Sequence, residues 1–399
     1  MPKALIIGGG VAGPAAALFL RRAGWEAEIF EARHRPDAFG GLFLNVATNG
    51  LAVLDTLGLK ARLLEDGHLS PYMEMHSGRG RKLGTVPNGP AGEPERGSVV
   101  VRREWLNAVL REATENAGIP LTWGARLERI EETPDGVTAH FADGSQATGD
   151  ILIGCDGVGS PTRRWIDPEA PDPAYSGLLS IGGFARVDGL EPTPLTQHMV
   201  FGTRGFFGYL VRDDGTVYWF ANPARAEMDR DALRAVPGET WLDELRAVHS
   251  EDPYPVPQIL DNATGAVGAY GIYELPHVPH WHRGRVVAVG DAVHATSPSA
   301  GQGASLALED AETLALCLRD LTAHEQAFAR YQQLRQRRAE DVVKYSRAIS
   351  RQKTATSSKL AVLLRDALLP LFLRGATRDT RNNHLYNHVI RWERSALDA

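Results

Sequence analysis

Only two cysteines stand in the chain, Cys155 and Cys317, and no C-x-x-C pair exists. Neither a redox-active disulfide motif nor a cysteine zinc site is therefore indicated, and both thiols read as small apolar core residues. Basic residues are not in excess, since 43 Lys and Arg face 49 Asp and Glu for a net charge of −6. No positive field is available to displace counterions from a phosphate backbone, so nucleic acid is not expected as a partner. Long apolar runs are missing as well. The strongest, Leu360–Leu373, is 14 residues long and is broken by Arg365, Asp366 and Pro370. It is too short and too polar to span a bilayer, and it reads as a helix buried against the body of the protein in preference to a membrane-surface contact. The first strand starts at about residue 3, which leaves no room for a leader peptide and points to the cytoplasm. There is no internal repeat, no low-complexity tract and no metal-ligand spacing.

What is present is ordinary globular composition, 43% apolar and 23% charged over 399 residues, with a length that suggests two or three domains. The first motif opens the chain. Lys3-Ala-Leu-Ile-Ile is an apolar strand, Gly8, Gly10 and Gly13 form G-x-G-x-x-G, and a small-residue helix follows. Glu31 closes the next strand, Ala27–Phe30. Gly8 permits a tight turn, Gly10 admits close approach of a pyrophosphate, and Gly13 lets helix and strand pack. The helix start presents free N–H groups and a partial positive charge. Pro14 falls in the first turn, where a missing N–H is tolerated.

Further along, Ala52–Leu57 reads as a helix ended by Gly58, and residues 71–97 hold two short strand-like runs. Val99-Val-Val101 is a buried strand leading into a helix striped by Leu106, Val109, Leu110 and Ala113. Residues 176–223 alternate apolar and polar with Asp-Gly turns at 188–189 and 214–215, which predicts an antiparallel sheet with one solvated or ligand-facing side. Val286–Val289 returns to a buried parallel-type strand. From Gly301 onward the pattern is helical, with breaks near 321–324, 352–357 and 375. The predicted fold class is α/β, a Rossmann-type nucleotide-binding domain interrupted by an antiparallel β-sheet substrate domain, with C-terminal helices. The boundaries expected are 1–70, 98–172 and 279–335 for the first, 71–97 and 173–278 for the second, and 336–399 for the helical region.

Two more motifs follow buried strands. Ile151-Leu-Ile-Gly-Cys-Asp156-Gly157 leads to Ser160, placed as a helix N-cap. Gly290-Asp291 leads through a loop holding Pro298 to Gly301-Gln-Gly303 and a helix packed by Ala304, Ala307, Leu308, Ala311, Leu314 and Leu318. Asp156 could also simply cap its helix, and Arg103 could be a surface helix residue. His294 reads as a structural hydrogen-bonding group, and Arg335-Gln-Arg-Arg338 as a solvated helix face.

Together these motifs resemble the class A flavoprotein monooxygenases, the para-hydroxybenzoate hydroxylase-like family, from Gly8 to about Asp310. The resemblance implies FAD. Gly8, Gly10, Val11, Ala12, Gly13, Glu31, Ala32 and Arg33 would meet its ADP half, and Arg103 would contact it. Asp156 matches a DG motif linked to FAD and the nicotinamide cofactor, and Gly290-Asp291 a GD motif for the ribityl chain. Pro298, Gly301, Gly303 and Ala304 would lie beside the flavin ring. The implied cycle is reduction by NADPH or NADH as a transient co-substrate, uptake of O₂ to give a C4a-hydroperoxide, and oxygen transfer to an electron-rich aromatic or polycyclic small molecule. Epoxidation and Baeyer–Villiger insertion stay open, as does a non-catalytic flavin-binding protein. The halogenase segment W-x-W-x-I-P is absent. So are the second G-x-G-x-x-G and the cysteine pair of disulfide reductase relatives. Leu42–Asn45 is apolar where the tetracycline-inactivating branch is polar, which argues against that substrate. Pocket candidates are Met199, Phe201, Phe206, Tyr209, Trp219 and Pro298. No catalytic base is identified. The expected assembly is a monomer or homodimer without a membrane span.

Overall fold

The computed structural model describes residues 1–35, 43–353 and 359–398. Strand Lys3–Ile7 is apolar throughout its buried part and sits inside a six-stranded sheet. The order is His282–Arg283, Val286–Ala288, Ile151–Gly154, Lys3–Ile7, Glu26–Glu31, Leu121–Trp123. All neighbours pair in parallel except the His282–Arg283 edge. Parallel strands covered on both faces must be apolar on both, and Ile151, Leu152 and Ile153 are fully buried. Helices Ala12–Arg22, Arg103–Asn116 and Gly303–Asp320 cover one face. Ala15, Ala16 and Ala17 let the first of these approach closely. A three-stranded meander, Leu127–Thr133, Gly136–Phe141 and Gln146–Gly149, lies on the other side.

A seven-stranded sheet forms a second layer, in the order Ala263–Glu274, Ala174–Arg186, Thr216–Asn222, Phe206–Val211, Thr196–Phe201, Tyr72–Ser77, Lys82–Pro87. It is antiparallel with one correction to the expected pattern, because Thr196–Phe201 runs parallel to Tyr72–Ser77. That seam joins two distant stretches of sequence, so no hairpin turn constrains their direction. Helices Arg230–Ala235, Gly238–His249 and Val256–Asp261 back this sheet. They bury Trp241, Leu242, Leu245, Ile259 and Leu260 against Phe207, Val217 and Trp219.

The C-terminal part is helical, as expected, with His324–Lys353 and Lys359–Phe372. The break expected at 352–357 falls largely outside the described residues. Two expectations fail here. Lys359–Phe372 is not buried, for Leu364, Leu371 and Phe372 are 57%, 56% and 78% exposed. It touches strand Lys82–Pro87, and its Arg365 Nη2 donates to the Phe201 carbonyl at 3.2 Å. The run Arg335–Arg338 is not a solvated face either. Arg335 is 1% exposed and paired with two carboxylates. Among the described residues no helix is long and apolar enough to cross a membrane.

Candidate active site

The three motifs meet at the ends of adjacent parallel strands. Gly8 has φ +112°, and a Cβ there would stand 2.3 Å from the carbonyl oxygen of Cys155. Gly13 would place a Cβ 1.9 Å from the Gly8 carbonyl oxygen. Both positions therefore require glycine. Gly10 differs, because a Cβ there would meet nothing within 4 Å. The third motif closes the triangle, since a Cβ on Gly290 would lie 3.6 Å from Cβ of Ala12 and 3.1 Å from that of Ala307.

Helix Ala12–Arg22 starts at Val11 without a side-chain cap, so its first N–H groups are open to a ligand. Glu31 is 8% exposed at its strand end. Its two oxygens accept from the N–H of Gly9 at 2.7 Å and of Arg33 at 2.9 Å, and each keeps a free lone pair. Ala32 and Arg33 continue past it, half-buried and exposed. Arg103 opens helix Arg103–Asn116 and pairs with no described residue, whereas its neighbour Arg102 is held by Asp66 at 3.0 Å.

Asp156 does cap its helix. Its Oδ2 accepts from the Thr162 N–H at 3.0 Å, and Ser160 Oγ accepts from the Arg163 N–H at 2.9 Å. Its Oδ1 is buried without a partner, and burial pushes the carboxyl pKa up. Such an orphaned acceptor beside an open crevice is the sign of a missing donor. Gly157 and Gly159 again have nothing within 4 Å of a built Cβ.

Below the Gly290 turn lies a charged network the sequence did not disclose. Asp310 Oδ2 accepts from the Gly290 N–H at 3.0 Å and contacts His294, while Oδ1 accepts from Arg335 Nε at 2.7 Å. Glu309 pairs with Arg335 at 2.5 Å and Arg338 at 2.7 Å, and takes Asn49 Nδ2 at 2.6 Å. Burial alone would raise both carboxyls. The surrounding cations outweigh it, His294 and Arg335 at Asp310 and Arg335 and Arg338 at Glu309, and hold each near about 2. His294 is thus structural, as expected. Asp291 itself is exposed at the head of the short helix Asp291–His294, free to accept from a ligand.

Pro298 is exposed in the turn Pro298–Ala300. Gly301 has φ +62°, and its Cβ would press on Asn45 Nδ2 at 2.7 Å. Gly303 begins the long helix, with no side-chain cap at Gln302, and Ala304 is half-buried. Small residues, open N–H groups and an exposed carboxylate thus line one crevice. They fit a dinucleotide carrying a flat ring.

The seven-stranded sheet faces this crevice with alternate residues. Asn45 Oδ1 accepts from Gln197 Nε2 at 3.2 Å, which fixes which face that is. Met199 and Phe201 share the Gln197 side of their strand, Met199 5% exposed. Phe206 packs on Phe201 and Phe220 with ring centres 5.2 and 6.0 Å apart, and Phe43 lies 5.3 Å from Tyr218 and 6.1 Å from Phe220. Leu42 lies outside the described residues. Trp219 and Tyr209 take the opposite face, which corrects their candidacy as pocket residues. Trp219 is 0% exposed and stacks on Phe207. Tyr209 stacks on His198, part of a hydrogen-bonded group with Glu74 and His76. Arg163 was also missed as a linker. Its buried guanidinium donates to the carbonyls of Ala292 at 2.8 Å and Val158 at 3.0 Å, joining the second and third motifs.

This arrangement defines an FAD-dependent oxidoreductase. Residues 1–204 and 273–346 match the FAD binding domain family, and the chain belongs to it. It is a flavoprotein monooxygenase of the class A, para-hydroxybenzoate hydroxylase-like type. It is 32% identical over 346 residues to aurachin C monooxygenase/isomerase of Stigmatella aurantiaca, covering 85% of this chain and 86% of that one. It is 30% identical over 363 residues to 6-hydroxynicotinate 3-monooxygenase of Pseudomonas fluorescens, covering 86% and 90%. Its fold is similar to that of Klebsiella pneumoniae HpxO, solved with FAD and uric acid, with a TM-score of 0.81, 24% identity and coverage of 94% and 96%.

Proposed function

We propose that the protein hydroxylates a flat aromatic or polycyclic small molecule, with NADPH or NADH as electron donor, in the space between the crevice and the Phe206–Phe220 face. The observation that carries this reading is the close approach of Gly8 to Cys155 and of Gly290 to Ala12, which brings the three motifs together, in a fold that also carries the Phe206–Phe220 aromatic sheet face. In this reading the six-stranded layer and its helices form the FAD-binding domain and the seven-stranded layer the substrate domain. FAD bound there supplies electron transfer from the nicotinamide and activation of O₂.

The chain's own residues supply binding and exclusion of water. Gly8, Gly10, Val11, Ala12 and Gly13 would cradle the pyrophosphate, and Glu31, Ala32 and Arg33 the adenosine ribose side. Arg103, Asp156, Gly290 and Asp291 would hold the chain linking ribose to ring. Pro298, Gly301, Gly303 and Ala304 would leave room for the ring, and the helix start near Gly303 would favour negative charge on it. Met199, Phe201, Phe206 and Phe220 would give the substrate an apolar, dry surface. Relatives named for 6-hydroxynicotinate and urate support a planar heteroaromatic or phenolic substrate class.

The test is NAD(P)H consumption by the FAD-bound protein under ¹⁸O₂ with a panel of phenols and hydroxylated heteroaromatics. Faster consumption with ¹⁸O in the product is expected. Consumption that no panel member accelerates, with all oxygen recovered as hydrogen peroxide, would overturn it.

A further inference from the structure

We propose that Lys353 takes an acidic group of the substrate, a carboxylate or a phenolic oxygen on a flat ring, at the edge of the Phe206–Phe220 wall. This rests on reading that wall as the substrate side of the crevice.

Lys353 is the last residue of helix His324–Lys353. The end of that helix is fastened to the loop beside Gly301. Ser346 Oγ donates to the Ser297 carbonyl at 2.8 Å, Ser350 Oγ to Ser297 Oγ at 2.6 Å, and Ser299 Oγ lies 2.9 Å from Ser350 Oγ. Three residues beyond Ser350, Lys353 shares its helix face. It is therefore carried to the junction of loop and sheet. Its Nζ stands 4.4 Å from the centre of the Phe206 ring and 5.5 Å from that of Phe220. One oxygen lies within reach, Asn222 Oδ1 at 3.5 Å, the outer limit of a hydrogen bond.

An ammonium has three donors, so two have no acceptor among the described residues. Lys353 has no ion pair among the described residues, while Arg347 is matched by Glu274 at 3.1 Å and Arg365 by Asp366 at 2.8 Å. A cation in such surroundings is costly until something pairs with it, and burial pushes Lys353 down to about 7. The ring faces add attraction for the charged form but hydrogen-bond no donor. An aromatic acid supplies what is missing. A carboxylate pairs with the ammonium directly. A phenol gives its proton to the neutral amine: the O–H bond breaks, an N–H bond forms, and no electrons change hands. The resulting phenolate ring is the more electron-rich one, which suits oxygen transfer.

The experiment titrates FAD-bound enzyme with pairs of an acidic ligand and its neutral analogue: benzoate and benzamide, salicylate and salicylamide, phenol and anisole. Binding is read from the flavin absorbance change in the absence of NAD(P)H, so it does not depend on turnover. In at least one pair the acidic ligand should bind at least about tenfold more tightly than its neutral analogue. K353M should erase that preference while leaving the neutral analogue's affinity within about twofold, and K353R should keep it. Retained flavin absorbance verifies that both variants are folded. A second reading is the pH dependence of Lys353 acetylation by acetic anhydride, with a midpoint near 7 in place of the roughly 10 of an ordinary lysine amine. Absence of acid preference in every wild-type pair, or a preference that survives in K353M, overturns the assignment. Lack of oxygenation with these probes would count against the proposed function and leave the binding result standing.

Discussion

Arg163 and Ala292 lie 129 residues apart in sequence, yet the Arg163 guanidinium donates to the Ala292 carbonyl at 2.8 Å. The side chain is 1% exposed and also holds Val158. R163M keeps the apolar stem and removes every donor, so the buried Ala292 carbonyl and the half-buried Val158 carbonyl lose these bonds. We expect a loss of about 2–4 kcal/mol by urea denaturation, from several hydrogen bonds to a charged group. Weaker FAD retention on gel filtration should accompany it. An unchanged midpoint would remove Arg163 from its linking role.

Gly8 and Gly10 should part company. G8A forces a Cβ against the Cys155 carbonyl oxygen at 2.3 Å in a left-handed backbone, so the protein without FAD should already be destabilised. G10A meets no protein atom within 4 Å. Its stability without FAD should stay within about 0.5 kcal/mol of wild type, while FAD affinity falls at least tenfold. Equal FAD affinity in G10A would argue that the open side of Gly10 faces no ligand.

The Asp310–Arg335 network sets a pH response whose sign can be worked out. Both Asp310 and Glu309 are held near about 2, below their unfolded values. Each therefore adds stability that is complete above the unfolded carboxyl range and is lost as pH falls from about 5 toward 2. R335M strips the cation that these buried carboxyls share, at a cost of about 3–5 kcal/mol at pH 7. With only His294 left at Asp310 and Arg338 at Glu309, burial offsets more of the attraction and their folded pKa rises, so the folded variant binds protons at a higher pH than wild type does. The gap between wild type and R335M should narrow as pH falls from 7. A gap independent of pH would contradict this account.

The two faces of the substrate-side sheet predict opposite phenotypes. W219L empties part of the rear core and should cost about 3–5 kcal/mol, with little change in the affinity of an aromatic probe that still binds the folded fraction. F220A should do the reverse. If W219L alters probe affinity more than F220A does, the assignment of faces is wrong.

The local parts of this architecture were legible in the chain, and the long-range parts were not. Gly8, Gly13 and Gly290 announce themselves because a turn that admits no Cβ leaves few choices of residue. The buried Arg335 does not, since its partners Glu309 and Asp310 sit on another helix and a paired arginine reads the same as a solvated one. Leu364 and Phe372 misled for the same reason, because apolar spacing cannot say whether anything covers it. Tyr209 and Trp219 were separable from Phe206 and Phe220 by alternation alone. Which set faces the crevice needed one cross-layer anchor, and the Asn45–Gln197 bond provides it.

The parallel seam between Tyr72–Ser77 and Thr196–Phe201 governs the order of events at the ribosome. His76 and His198 meet across a separation of 122 residues. At typical elongation rates the early strands emerge roughly ten seconds before their partner exists. During that interval Tyr72–Ser77 and Lys82–Pro87 can pair only with each other, as an exposed ribbon awaiting its seat. Chaperone demand and aggregation during expression should therefore concentrate in this early ribbon.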